Sequence, residues 1–184
     1  MVSSLSFVQN NRFIITGGPG SGKTTLVEAL QNLGYTGFPE IARDLINQGI
    51  TPPGWANKPD SSRFFELILQ QRIISHQQIN GDEIGFYDRG MPDSLAYLKF
   101  QNRKIPLILS QAIDAYRYNP LVFTAPPWKE IFSNDSIRKE TFDEARVLYG
   151  LVTQAYQDIG YKVVVLPMAS LESRVSIILS EIVK

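Results

Sequence analysis

Apolar residues along this chain follow two alternating rhythms, short unbroken runs and longer stretches with a three-to-four spacing. The runs at Arg12–Thr16, Tyr35–Phe38, Ile84–Tyr87, Leu121–Thr124 and Lys162–Leu166 read as five strands. Between them the spacing predicts helices. The first runs from Thr24 to Leu33, with Gly34 placed to end it, and a second starts at Pro39 and ends near Gly49. A long one extends from Ser61 or Ser62 to about Gln78, with Phe64, Phe65, Ile68, Leu69 and Ile73 at helical intervals. Two more cover Met91–Phe100 and Pro106–Tyr116. A Thr141-x-x-Glu144 capping box opens another that ends before Gly160, and Ser170 caps a last one through Val183. Residues 50–60 carry three prolines and one glycine and read as a loop. Strands alternating with helices predict an α/β fold with a parallel sheet, whose ligands bind beyond the carboxyl ends of the strands. Four such ends carry suggestive residues: the glycine-rich stretch after Thr16, Glu40, Asp88-Arg89, and Pro126-Pro127-Trp128.

The first of these ends is the most specific. Gly17-Gly18-Pro19-Gly20-Ser21-Gly22-Lys23-Thr24, followed by Thr25, matches G-x-x-x-x-G-K-[ST] without a mismatch and sits between a strand and a helix. Glycines let backbone N–H groups close on phosphate oxygens, and the helix adds its own free N–H groups and dipole. In such a loop Lys23 reaches the β- and γ-phosphates and the Thr24 hydroxyl binds Mg²⁺. The expectation is a site for a nucleoside triphosphate, ATP with Mg²⁺.

Composition narrows the class. The 184 residues suit one domain, 1–184, with 43% hydrophobic and 20% charged residues. Zero formal net charge predicts no nucleic-acid partner and no acidic membrane surface. With no cysteine, disulfides and thiolate chemistry are excluded. No apolar stretch approaches the roughly 18 residues of a membrane span, and the start lacks a signal-peptide pattern, so a soluble cytoplasmic protein is expected. Monomer and homodimer both stay open.

Beyond the loop, Asp88 follows an apolar strand where a phosphate-loop protein needs a carboxylate for Mg²⁺. Arg89 would offset transferred charge, although a surface pair capping a helix is the alternative. Glu40 is placed to take a proton from an attacking hydroxyl or to hold substrate, with Arg43 one turn on to hold substrate or neutralise transferred charge; a dipole-stabilised first-turn glutamate with a solvated ion pair is the alternative. Lys129, Arg138, Lys139 and Arg146 surround a polar stretch that suits a flap over the nucleotide, and Arg138 is the cation singled out. Gln71 and Arg72 on the long helix face a possible acceptor groove. Met168 and Ala169 stand where related folds place adenine, by analogy alone. Asp93 is placed to pair with a substrate hydroxyl, but helix N-terminal capping near Pro92 explains it as well, and the single histidine, His76, lacks a ligand motif.

With the glycine-rich loop, Pro39-Glu40-Ile41-Ala42-Arg43, Phe86-Tyr87-Asp88-Arg89-Gly90 and the Pro-Pro-Trp segment together, the chain resembles a known group from Arg12 to about Ile182. It is similar to the AAA-type small P-loop family that joins the ribosylnicotinamide kinase domain of the bacterial NAD-biosynthesis regulator to the fly TRP-channel translocation protein. More distantly it resembles deoxynucleoside and thymidylate kinases. The resemblance implies a three-layer fold with a five-stranded parallel sheet in order 2-3-1-4-5 and a lid at about 126–141. It also implies ATP-Mg²⁺ as donor and a groove for a small-molecule acceptor between the second strand and the long helix. The absence of an Asp-Glu pair after the third strand departs from mechanical ATPases. A kinase acting on a nucleoside-like hydroxyl is the first expectation, with a nucleotide-dependent binding module or switch as the alternative.

Overall fold

The apolar runs at 13–17, 85–88 and 122–125 become strands buried on both faces. A computed structural model describes residues 11–50, 62–132 and 140–183. Among these, five strands form one sheet: β1 (Arg12–Gly17), β2 (Thr36–Phe38), β3 (Gly85–Asp88), β4 (Leu121–Ala125) and β5 (Lys162–Val165). All pairings are parallel and the order is β2-β3-β1-β4-β5, as the resemblance implies. The helices are α1 (Lys23–Asn32), α2 (Ile41–Asn47), α3 (Ser62–Gln77), α4 (Asp93–Phe100), α5 (Leu107–Ala115), α6 (Phe142–Asp158) and α7 (Leu171–Ile182).

Strand alternation divides the core into two layers. Ile14, Tyr87 and Val122 face a cluster with Leu69 of α3, Leu98 of α4, Leu109 of α5 and Val152 of α6. Phe13, Ile15, Phe86 and Phe123 face the other side, against Leu26 and Leu30 of α1 and Ile178 of α7. Each fully buried Phe, Ile or Leu contributes about 1.5–3 kcal/mol, which holds the sheet between its helical layers. No helix among the described residues is long and apolar enough to cross a membrane.

Element ends differ from the expected ones where contacts override pattern. Asp88 is the last residue of β3, not the first beyond it, because the Arg89 N–H still donates to Ile15 O at 3.1 Å. α1 starts one residue early, at Lys23, and α2 already stops at Asn47. The Thr141 capping box forms as expected, with Glu144 N–H on Thr141 Oγ1 at 3.2 Å and Thr141 N–H on Glu144 Oε2 at 2.7 Å. It marks where the segment after β4 turns back into helix.

Candidate functional site

Gly17 leaves β1 at φ 139°, and a Cβ there would lie 2.1 Å from Ala125 O, so only glycine lets the chain pass this close to β4. Gly22 at φ 80° is the N-cap of α1. This geometry puts Lys23 in the first turn, where its ammonium folds back to donate to Gly18 O at 2.8 Å and Ser21 Oγ at 3.3 Å. Lys23 is thus buried over the loop that the sequence assigns to phosphate.

Thr24 Oγ1 donates to Asp88 Oδ2 at 2.7 Å, joining the loop to the end of β3. Asp88 is buried, and its Oδ1 has no hydrogen-bond partner among the described residues. Burial pushes the Asp88 carboxyl above its usual range, and the Glu40 charge pushes the same way; Lys23, Arg89 and the Thr24 hydroxyl oppose them. A buried carboxylate with an open oxygen beside a threonine hydroxyl is a hard, oxygen-only donor set. It fits Mg²⁺.

Arg89 is a non-glycine residue at φ 74°, a left-handed conformation that costs about 1–3 kcal/mol and persists only where surroundings impose it. Its Nε donates to Glu40 Oε1 at 2.8 Å, and its Nη1 donates to Gly17 O at 3.0 Å and to Asp93 Oδ1 at 3.3 Å. The guanidinium also lies over the Tyr97 ring, 5.4 Å from its centroid. Burial works against its charge, but Tyr97, Glu40, Asp93 and Asp88 together hold its pKa well above the ordinary value. Glu40 is the N-cap of α2 yet makes no side-chain cap bond; its Oε1 is turned to Arg89.

A cavity of about 580 Å³ opens over Gly20–Thr25, large enough for a nucleotide. Arg43, Trp128, Ile131, Ala169 and Arg174 are among its wall residues, with Glu28 the acidic one. Phe132 packs so near the loop that a Cβ on Gly20 would come within 2.6 Å of its ring. Arg174 Nη2 donates to Ser21 O at 3.2 Å, while its buried Nε has no partner among the described residues.

The structure therefore gathers Gly17, Gly18, Gly20, Ser21, Gly22, Lys23, Thr24, Asp88, Arg89 and Glu40 in one region. Thr25 lies with them, at the cavity rim. Arg43 lines the cavity over the phosphate loop. Gln71 is exposed, whereas its neighbour Arg72 is buried and donates to Ser94 Oγ at 2.7 Å, because α3 turns residue 72 and not residue 71 toward α4. Arg146 is exposed, with Asp143 Oδ1 at 3.7 Å, a solvated pair. Arg138 and Lys139 lie outside the described residues. Asp93, weighed as a partner for a substrate hydroxyl or as a helix cap, is fully buried and ties Arg89 to the core, and Pro92 is the N-cap of α4. Sequence reading missed Arg174 altogether, since a lone arginine on a last helix carries no local signal.

The protein family described as "AAA domain" matches residues 12–174. Comparison with curated proteins finds no match. Among solved structures, deoxyadenosine kinase from M. mycoides with bound dATP is 15% identical; the match covers 94% of this chain and 100% of that one with a TM-score of 0.63. Shikimate kinase from Acinetobacter baumannii in complex with shikimate is 12% identical, with 94% and 93% covered and a TM-score of 0.65. The NadR protein in complex with NR is 17% identical, with 94% and 50% covered and a TM-score of 0.66. At these identities the likeness establishes the fold alone, a P-loop NTPase fold with a five-stranded parallel sheet.

Proposed function

The chain belongs to the AAA domain family, and from that premise we propose that it is a small-molecule kinase using Mg²⁺-ATP. The observation that carries this reading is the Arg89 guanidinium, which joins the Glu40 carboxylate to the Gly17 carbonyl at the entrance of the phosphate loop. A carboxylate held there stands beside the terminal phosphate of a nucleotide lying on the loop. It is placed to take the proton of an acceptor hydroxyl as that oxygen bonds to the γ-phosphorus and the bond to the ADP oxygen breaks.

The remaining groups position and neutralise. Loop amides and Lys23 hold the β- and γ-phosphates once the ammonium exchanges Gly18 O and Ser21 Oγ for phosphate oxygens. Thr24 and Asp88 would hold Mg²⁺, which supplies charge neutralisation to the triphosphate. Arg89 keeps Glu40 oriented, since its Nε and Nη1 are engaged within the protein. Arg43, on the cavity wall, adds positive charge over the phosphate loop. Trp128, Ile131 and Phe132 screen the loop from water.

Thermal shift with Mg²⁺-ATP and Mg²⁺-GTP, each with and without a panel of nucleosides, nucleotides and hydroxy acids, tests the reading. An ATP shift enlarged by one acceptor, with phosphorylated product abolished in Glu40→Gln, is the expected result. A nucleotide shift that no acceptor enlarges would favour a nucleotide-dependent switch, and no shift at all would remove both.

A further inference from the structure

Asp93 has no exposed surface, and four donors from three parts of the fold meet on its carboxylate. Thr16, near the end of β1, donates Oγ1 to Oδ1 at 2.5 Å, and Arg89 Nη1 reaches the same oxygen at 3.3 Å. The Gly90 N–H and the Tyr156 hydroxyl of α6 donate to Oδ2 at 2.9 and 2.7 Å. Helix capping does not account for this set, because three of the four donors are side chains of other elements.

Two of the donors flank the strained residue: the guanidinium of Arg89 itself and the amide that follows it. A carboxylate is tolerated in a protein interior when its charge is paired and its lone pairs are filled. Arg89 supplies the charge, and Thr16, Gly90 and Tyr156 fill the lone pairs. Gly90 also makes room for this arrangement, since a Cβ there would lie 2.8 Å from the Tyr156 oxygen. The left-handed turn at Arg89 is thus gripped from both sides by one side chain that is anchored in turn to β1 and α6. While the turn keeps this shape, Arg89 Nε meets Glu40 and Nη1 meets Gly17 O.

We propose that Asp93 is a positioning residue: by clamping the Arg89–Gly90 turn it keeps Arg89 on Glu40, and so keeps Glu40 beside the phosphate loop. Its consequence for turnover rests on the phosphoryl-transfer reading; the clamp itself has a separate readout.

The Arg89 Nε–H, bonded to Glu40, gives a slowly exchanging side-chain ¹H–¹⁵N resonance, assigned by its loss in Arg89→Lys. Asp93→Asn keeps the shape but offers one acceptor oxygen to four donors, and is expected to speed this exchange about tenfold or more. Backbone amides of β1 keep their protection. Tyr156→Phe, which removes a single donor, covers the case in which Asp93→Asn does not fold, and is expected to speed the exchange about threefold. With Mg²⁺-ATP and the acceptor that most enlarges its thermal shift, ADP release in Asp93→Asn falls about thirtyfold in kcat while KM for ATP moves by less than about threefold, the split expected of lost orientation without lost binding. Nε–H protection that persists in the folded variants overturns the proposal. So does loss of β1 protection in step with it, which makes Asp93 merely structural. If wild type forms no ADP with any acceptor of the panel yet the Nε–H is exposed by Asp93→Asn, the clamp stands and the kinase reading falls.

Discussion

Two neighbouring strands, β1 and β3, end in turns that both use left-handed backbone, and they reach it by opposite means. The turn after β1 uses Gly17, Gly20 and Gly22, at φ 139°, 70° and 80°, where the absence of a Cβ removes the steric cost. The turn after β3 uses Arg89 at φ 74°, where the cost is met by bonds to Glu40, Gly17 O and Asp93, 49, 72 and 4 residues away. One turn carries its conformation in its own letters. The other borrows it from the rest of the fold, and in exchange places a charged side chain between the phosphate loop and Glu40.

The largest effect should come from the glycine turn. Gly17→Ala drives a Cβ to 2.1 Å from Ala125 O, backbone against backbone with nothing able to yield. Unfolding free energy from urea titration is expected to fall by about 3 kcal/mol or more. A loss under about 1 kcal/mol would mean that β4 shifts freely and that glycine is dispensable there.

Arg89→Gly applies the opposite change to the other turn. Glycine releases about 1–3 kcal/mol of strain, but breaking a buried ion pair costs about 3–5 kcal/mol, so a net loss near 2 kcal/mol is expected by the same titration. A variant as stable as wild type would show that backbone, not side chains, holds this turn.

Asp88→Asn asks what the junction between the turns sacrifices for function. Removing a buried, partly unpartnered carboxylate is expected to stabilise the protein by about 1 kcal/mol in chelator-containing buffer. The same change should erase the Mg²⁺-dependent part of the ATP thermal shift. A destabilised variant that keeps the Mg²⁺ effect would remove Asp88 from the metal site.

His76 lies on α3, outside both turns, and calibrates the comparison. Its ring meets Arg117 O at 2.9 Å, and burial lowers its pKa from 6.5, with Arg12 acting in the same direction against that hydrogen bond. The unfolded chain therefore takes up this proton first, so stability present above pH 6.5 is lost as pH falls below it. His76→Gln should flatten the difference between urea titrations at pH 7.5 and 5.5, the smallest of these effects. As the chain has a single histidine, an unchanged slope would trace the acid limb to the carboxylates.

Legibility followed the same division. The phosphate loop, the Thr141 capping box and the run of strands stand on patterns within a few residues, and each appears in the structure where the pattern puts it. Asp88 and Glu40 were picked out from strand ends, but their bonds to Thr24 and Arg89 were not foreseeable from spacing. Gln71 and Arg72 differ only by the 100° between successive helical positions, too little for sequence to choose between them. Arg43 and Arg174 enter the cavity because α2 and α7 both pack at its edge, a relation between elements separated by most of the chain.

By itself the sequence determined which segments fold as strands and helices and where a triphosphate loop can form. Those properties depend on periodicity, glycine content and short capping patterns, which act locally. Tertiary structure alone decided that Arg89 bridges Glu40 to Gly17, that Asp93 is buried beneath that bridge, and that Arg174 supports the loop from the last helix. These arrangements exist only once the sheet brings β1, β3 and their flanking helices together, because long-range contacts both supply their bonds and exclude the water that would otherwise take them.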